Sequence, residues 1–195
     1  LYDTLPMYQA IAESKNTSAV WLLDKLGIQR GISKLEDFGI SIGEADENLG
    51  AIALGGMSKG VTPVQLASAY TTFVNEGVRT QARFITKIVD ATGAVIVDNT
   101  KPKTNRVTTA AVAEEMTSML MGVYADGGTG ASAQPSNGMV IAGKTGTTEL
   151  DRETGYIKSQ WMVGYTPDLV VATWLGYDKT NERSNLNNAG QTMAH

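Results

Sequence analysis

Three strand candidates near the end of the chain, at 139–146, 160–166 and 169–176, constrain its fold more than any other feature. The last two meet at Thr166-Pro167-Asp168, which is turn chemistry. Parallel neighbours need a crossover of roughly a dozen residues or more, usually a helix; strands joined this closely pair antiparallel. What precedes them is mostly helical in pattern. Helices, a small hairpin, a further helix and three strands, in that order, predict an α+β fold with helices gathered against an antiparallel sheet.

The helical part has readable boundaries. Thr4 is placed to cap a helix running through Tyr8 and Ile11 to about Glu13. A second helix, about Ser18–Leu26, carries Ala19, Leu22, Leu23 and Leu26 on one face and stops at Gly27. A third, about Ile32–Phe38, stops at Gly39. Residues 40–61 are rich in glycine and read as a loop, with Ile52-Ala53-Leu54 packed on the body. Thr62-Pro63-Val64-Gln65 is a capping box with proline at the first helical position. The runs 84–89 and 95–97 flank Ala91-Thr92-Gly93 and predict a hairpin. A long helix, about Thr109–Tyr124, turns Val112, Met116, Met119 and Leu120 to the core, and Gly127-Gly128-Thr129-Gly130 is a sharp turn. Residues 1–178 read as domain and 179–195, rich in Asn, as a polar tail.

Composition removes several chemistries. There is no cysteine, so thiol catalysis, thiolate metal sites and disulfides are excluded. The only histidine is His195, the last residue, which disfavours a Ser-His-Asp triad and a histidine metal site. Proton transfer then falls to Lys, Ser, Tyr or carboxylates. A net charge of −4 indicates no general affinity for nucleic acid or an anionic membrane surface. No run reaches membrane-spanning length.

The chemistry centres on Gly138–Thr148, where Met139-Val140-Ile141-Ala142 leads into Lys144-Thr145-Gly146-Thr147-Thr148. Gly138-x-x-x-x-Gly143-Lys144-Thr145 satisfies the phosphate-loop pattern. It also contains the Lys-Thr-Gly strand of penicillin-interacting serine enzymes, which works with S-x-x-K and S-x-N. A lysine on a sheet edge that discourages aggregation is a third reading. Lys-Thr-Gly alone occurs by chance in roughly one chain in twenty of this length, so context decides. It disfavours the phosphate loop: apolar residues fill the loop positions, turn residues precede Gly138, and Gly146 with Thr147-Thr148 opposes a helix start. Ser14-Lys15-Asn16 lies between two predicted helices, where spacing alone favours capping.

Ser14-Lys15-Asn16, then Gly55 to Tyr70, then Gly143–Thr148 followed by Trp161-Met162-Val163-Gly164-Tyr165-Thr166-Pro167-Asp168, form an ordered set. Together they resemble the transpeptidase domain of the bifunctional class A penicillin-binding proteins, from Leu5 to about Asp178. The resemblance implies the penicillin-binding transpeptidase and serine β-lactamase-like fold, incomplete in this chain. It implies a site on the extracytoplasmic face of a bacterial membrane, reached through an upstream anchor. Peptidoglycan stem peptides and β-lactam antibiotics are its expected partners, without cofactor, metal or nucleic acid.

The same resemblance implies residue roles. Lys144, Ser14 and Asn16 are the expected catalytic residues, and Thr145, Gly146, Thr147, Thr148 and Trp161 the substrate-binding ones. Lys144, Thr145 and Thr147 would face the terminal carboxylate of D-Ala-D-Ala. The N–H of Thr147 would be an oxyanion donor. Ser14 would relay a proton, and Asn16 would hold the acyl amide or the catalytic lysine. Tyr156, Trp161 and residues 149–160 would line the cleft mouth. One element is missing: no lysine here has a serine three residues before it, so there is no Ser-x-x-Lys. With a start at Leu1-Tyr2-Asp3, this predicts an upstream piece that supplies the nucleophile. A degenerate homologue, a D,D-carboxypeptidase and a penicillin-sensing receptor domain remain alternatives. A class A β-lactamase is disfavoured because no glutamate begins Glu-x-x-Leu-Asn.

Overall fold

A computed structural model describes residues 4–149, 155–181 and 184–186. Six α-helices lie among them: α1 (Met7–Ala12), α2 (Asn16–Leu26), α3 (Ile28–Asp37), α4 (Leu49–Leu54), α5 (Pro63–Val74) and α6 (Ala110–Met121). Four short strands form two ribbons: β1 (Val78–Thr80) pairs with β4 (Thr104–Arg106), and β2 (Lys87–Val89) with β3 (Val95–Asp98). The main sheet has the order β5 (Ala142–Glu149), β6 (Ile157–Tyr165), β7 (Val170–Gly176), antiparallel throughout. Among the described residues, no helix is long and apolar enough to cross a membrane.

The core lies where α6 meets the sheet. Leu120, Val123 and Tyr124 pack with Ala142, Met162 and Tyr165, and Ile11, Tyr70, Phe73 and Met116 close around them. Tyr165 joins the layers. Its ring lies 6.0 Å from Tyr70 and 6.4 Å from Phe73, and its O–H donates to Thr117 Oγ1 at 3.0 Å. Burial raises the phenols of Tyr70, Tyr124 and Tyr165, so none of them is a base near neutral pH.

Several local expectations hold. The capping box forms in full at Thr62 and Gln65, with Pro63 opening α5. Thr109 caps α6 through the N–H of Val112. Others are corrected. Thr4 does not cap α1: the chain enters from Pro6, whose carbonyl accepts from the N–H groups of Gln9 and Ala10 at 3.1 Å each. The 40–61 loop contains α4, capped by Asn48 and ended by Gly55 at φ 77°. Buried Asp46 ties this loop down by accepting from the N–H and O–H of Ser58. β5 begins at Ala142, not 139, and Met139 and Val140 stay exposed. On α6, Val112 is exposed, and Ala113 and Leu120 take the buried positions. Separately, Leu186 forms an isolated antiparallel bridge with Ile157.

Gly143 sets the spacing of β5 and β6 one residue before Lys144, because a Cβ there would collide with the backbone carbonyl of Val163. Gly143→Ala is expected to lower stability by about 1–3 kcal/mol, read by denaturant unfolding. A change within a few tenths of a kcal/mol would show that the pair tolerates a side chain there.

Candidate active site

α1 ends in a Schellman motif. The N–H of Ser14 donates to the carbonyl of Ile11 at 3.1 Å, and that of Lys15 to Ala10 at 2.9 Å. The left-handed residue of such an ending is usually glycine; here it is Ser14, at φ 54°. Neither Ser14 nor Asn16 caps α2 with its side chain: Lys15 occupies the N-cap without a side-chain cap bond, and Asn16 is the first helical residue. Capping therefore accounts for the Ser14 backbone at the end of α1 but not for the side chains of Ser14 and Asn16. A serine in a strained backbone position leaves its hydroxyl to another use.

That use lies across the chain. Lys144 Nζ on β5 donates to Ser14 Oγ at 2.8 Å and to the carbonyl of Thr145 at 2.9 Å. Burial lowers the Lys144 ammonium to about 8, because leaving water disfavours the charged form. An ammonium carries three donors: two make these short bonds, and the third has only the long contact to Thr145 Oγ1 at 3.5 Å, which a ligand can replace. Lys144 and Thr145 stand inside β5, and the next element is β6 rather than a helix. A phosphate loop is excluded on that geometry.

The remaining candidates lie around this pair. The Thr145 hydroxyl lies 2.6 Å from that of Thr129 and 3.5 Å from Lys144 Nζ. Thr147 is exposed and Thr148 half-buried further along β5. Gly146 faces Trp161 in the register, and the Trp161 ring packs 6.4 Å from Trp174 across the next pair. Asn16 is exposed beside Ser14, and its side chain makes no hydrogen bond among the described residues. Tyr156 is half-buried, while residues 150–154 of the expected cleft-mouth loop lie outside the described residues. In the sequence Thr129 reads only as turn material, within Gly127-Gly128-Thr129-Gly130. Nothing in its spacing points to Thr145, since the contact arises from how α6 and its turn pack on β5.

Among these described residues β5 has one strand partner, so its other edge is open. A cation, two adjacent hydroxyls and a serine oxygen gathered on an open strand edge can hold a carboxylate and pass a proton.

Comparison with known proteins bears on the same region. Residues 2–194 match the model of the penicillin-binding protein transpeptidase domain. The chain is 43% identical over 188 residues to penicillin-binding protein 2a of Streptococcus pneumoniae, covering 96% of this chain and 25% of that protein. It is 41% identical over 180 residues to penicillin-binding protein 1F of Bacillus subtilis, covering 92% of this chain and 24% of that protein. The chain thus spans about a quarter of the length of these relatives. The penicillin-binding protein PonA1 of Mycobacterium tuberculosis superposes with a TM-score of 0.75 at 27% identity, over 93% of this chain and 50% of that one. The complex of PonA1 with penicillin V gives 0.73 at 28% identity, over 90% of this chain and 48% of that one.

The backbone at Ser14 separates strain from hydroxyl chemistry. Ser14→Gly and Ser14→Ala both lose the bond to Lys144, but only glycine relieves the positive φ. Ser14→Gly is expected to be the more stable by about 1 kcal/mol, measured by urea unfolding. Equal stability of the two would show that the left-handed conformation is not held in solution.

Proposed function

Because the chain belongs to the penicillin-binding protein transpeptidase domain family, we propose that it carries the substrate-carboxylate side of a serine D,D-transpeptidase. The single observation that carries this reading is the 2.8 Å contact between Lys144 Nζ and Ser14 Oγ. It brings together two elements of the S-x-N and Lys-Thr-Gly set that lie 130 residues apart.

The donor is a peptidoglycan stem peptide ending in D-Ala-D-Ala. Its terminal carboxylate sits against Lys144 and the hydroxyls of Thr145 and Thr147. Its extended backbone adds to the open edge of β5. The Thr145 carbonyl accepts from Lys144 Nζ. Alternation along the strand turns the N–H of Thr147 the same way, which suits it to an oxyanion.

The attacking serine is supplied from outside these residues, since no Ser-x-x-Lys occurs in them. Its oxygen adds to the penultimate carbonyl as its proton passes to the lysine of the Ser-x-x-Lys element that comes with it, the proton Ser14 then relays. The tetrahedral intermediate collapses with loss of D-Ala, whose amine takes a proton through Ser14. An amine of a second stem peptide attacks the resulting ester, and the serine leaves with its proton restored. Asn16 holds the acyl-side amide, and Gly146, Thr148 and Trp161 shape the strand that binds the peptide. A β-lactam enters the same way and leaves a slowly hydrolysed ester. The domain works on the extracytoplasmic face of the membrane, attached through an upstream segment, and needs no metal or nucleic acid.

Two measurements test this. Residues 1–195 alone should take no covalent label from fluorescent penicillin, whereas the intact protein should; a label on Ser14 would overturn the assignment of roles. In the intact protein, Lys144→Ala should slow acylation by benzylpenicillin about a hundredfold, the worth of a charged hydrogen bond and its ion pairing. The unmutated rate should fall as pH rises through about 8, where Lys144 loses its charge. An unchanged rate in Lys144→Ala, or no such limb before mutation, would remove Lys144 from the site.

A further inference from the structure

Thr129 has no role in the reaction as written above, yet it touches both elements that the reaction needs. Its N–H donates to the carbonyl of Ala12 at 3.1 Å, two residues before Ser14. Its hydroxyl lies 2.6 Å from that of Thr145, next to Lys144. The turn that carries it is held against the end of α6. The N–H of Gly130 donates to Val123 and that of Gly128 to Ala125, both at 2.9 Å. A Cβ on Gly128 would collide with the Val123 carbonyl, and one on Gly130 would press on Met162 Cε at 3.2 Å. Thr129 itself is exposed, so the turn presents its side chain outward from a backbone with little freedom.

We propose that Thr129 is a positioning residue for recognition of the ligand carboxylate, an inference that rests on the transpeptidase reading. A carboxylate only accepts hydrogen bonds, so Thr145 must turn its proton outward to bind one. Its oxygen must then accept from within the protein. Lys144 is a poor candidate for that donor, because it lies 3.5 Å from Thr145 Oγ1 and already donates to Ser14 and to the Thr145 carbonyl. Thr129 is at hydrogen-bonding distance, and its hydroxyl can donate. With a carboxylate bound, the order is Thr129 O–H to Thr145 oxygen, and Thr145 O–H to the ligand. Chained hydrogen bonds of this kind strengthen one another. The N–H bond to Ala12 has a separate effect. It ties the turn to the end of α1, two residues before Ser14.

The test compares acylation of the intact protein by benzylpenicillin and by its methyl ester. Thr129→Val keeps the shape and the backbone N–H but loses the hydroxyl; Thr129→Ser keeps the hydroxyl. Thr129→Val should slow reaction with the free acid about tenfold or more and leave the slower ester reaction within about twofold. Thr129→Ser should hold the free-acid rate within about threefold. Equal losses on acid and ester would make Thr129 a structural residue and overturn the proposal. So would an undiminished free-acid rate in Thr129→Val, or a Thr129→Ser variant as slow as Thr129→Val. If the unmutated protein is acylated by neither compound, the transpeptidase reading falls and this role with it. Normal acylation before mutation with no effect of Thr129→Val overturns Thr129 alone.

Discussion

An ammonium drawn partly out of water and set against a serine hydroxyl is the contact on which this structure depends. Burial alone disfavours the charged Lys144, which is why its ionisation falls to about 8. Two acceptors, Ser14 Oγ at 2.8 Å and the Thr145 carbonyl at 2.9 Å, offset part of that cost. Because the partners lie 130 residues apart, the contact exists only while the end of α1 and the strand β5 keep their places. α6 does that. It packs against α1 and β5, its last turn supplies Leu120 to the core and the turn just after it supplies Val123 and Tyr124, and Gly122 lies beside Ala12.

Local stability gives way to this contact in two places. Ser14 occupies a left-handed helix ending that glycine would fill with less strain. β5 runs along the side of the sheet with one strand partner among the described residues. An open strand edge is ordinarily an aggregation hazard. In the proposed reaction the same row of unpaired backbone groups meets the peptide, with the lysine and the threonine hydroxyls fixing its end.

Much of the architecture was legible in short stretches. The antiparallel sheet follows from connections too brief for a crossover, and α5 from Thr62-Pro63 with Gln65. Two features escaped for physical reasons. α4 is six residues long within a glycine-rich stretch, and only Asn48 before it and Gly55 after it mark its ends. β1 and β4 have three residues each, too few for alternation to register, and their pairing brings Val78 to Arg106 across the intervening hairpin. The helix beginning at Asn16 rather than near Ser18 also removed the capping explanation for the Ser14 side chain, which no propensity could have settled.

The amino-acid sequence by itself determined the reagents: no thiol, no internal imidazole, and lysine, serine, tyrosine or carboxylates as the groups left for proton transfer. It determined the order of helices and strands as well, because propensity, capping and turn chemistry act over a few neighbouring residues. Only the tertiary structure decided that Ser14 meets Lys144, that Thr129 meets Thr145, and that the lysine ionises near 8 rather than in its ordinary range. Those outcomes depend on packing between distant segments and on how much water that packing removes, and neither quantity is a property of any local stretch of chain.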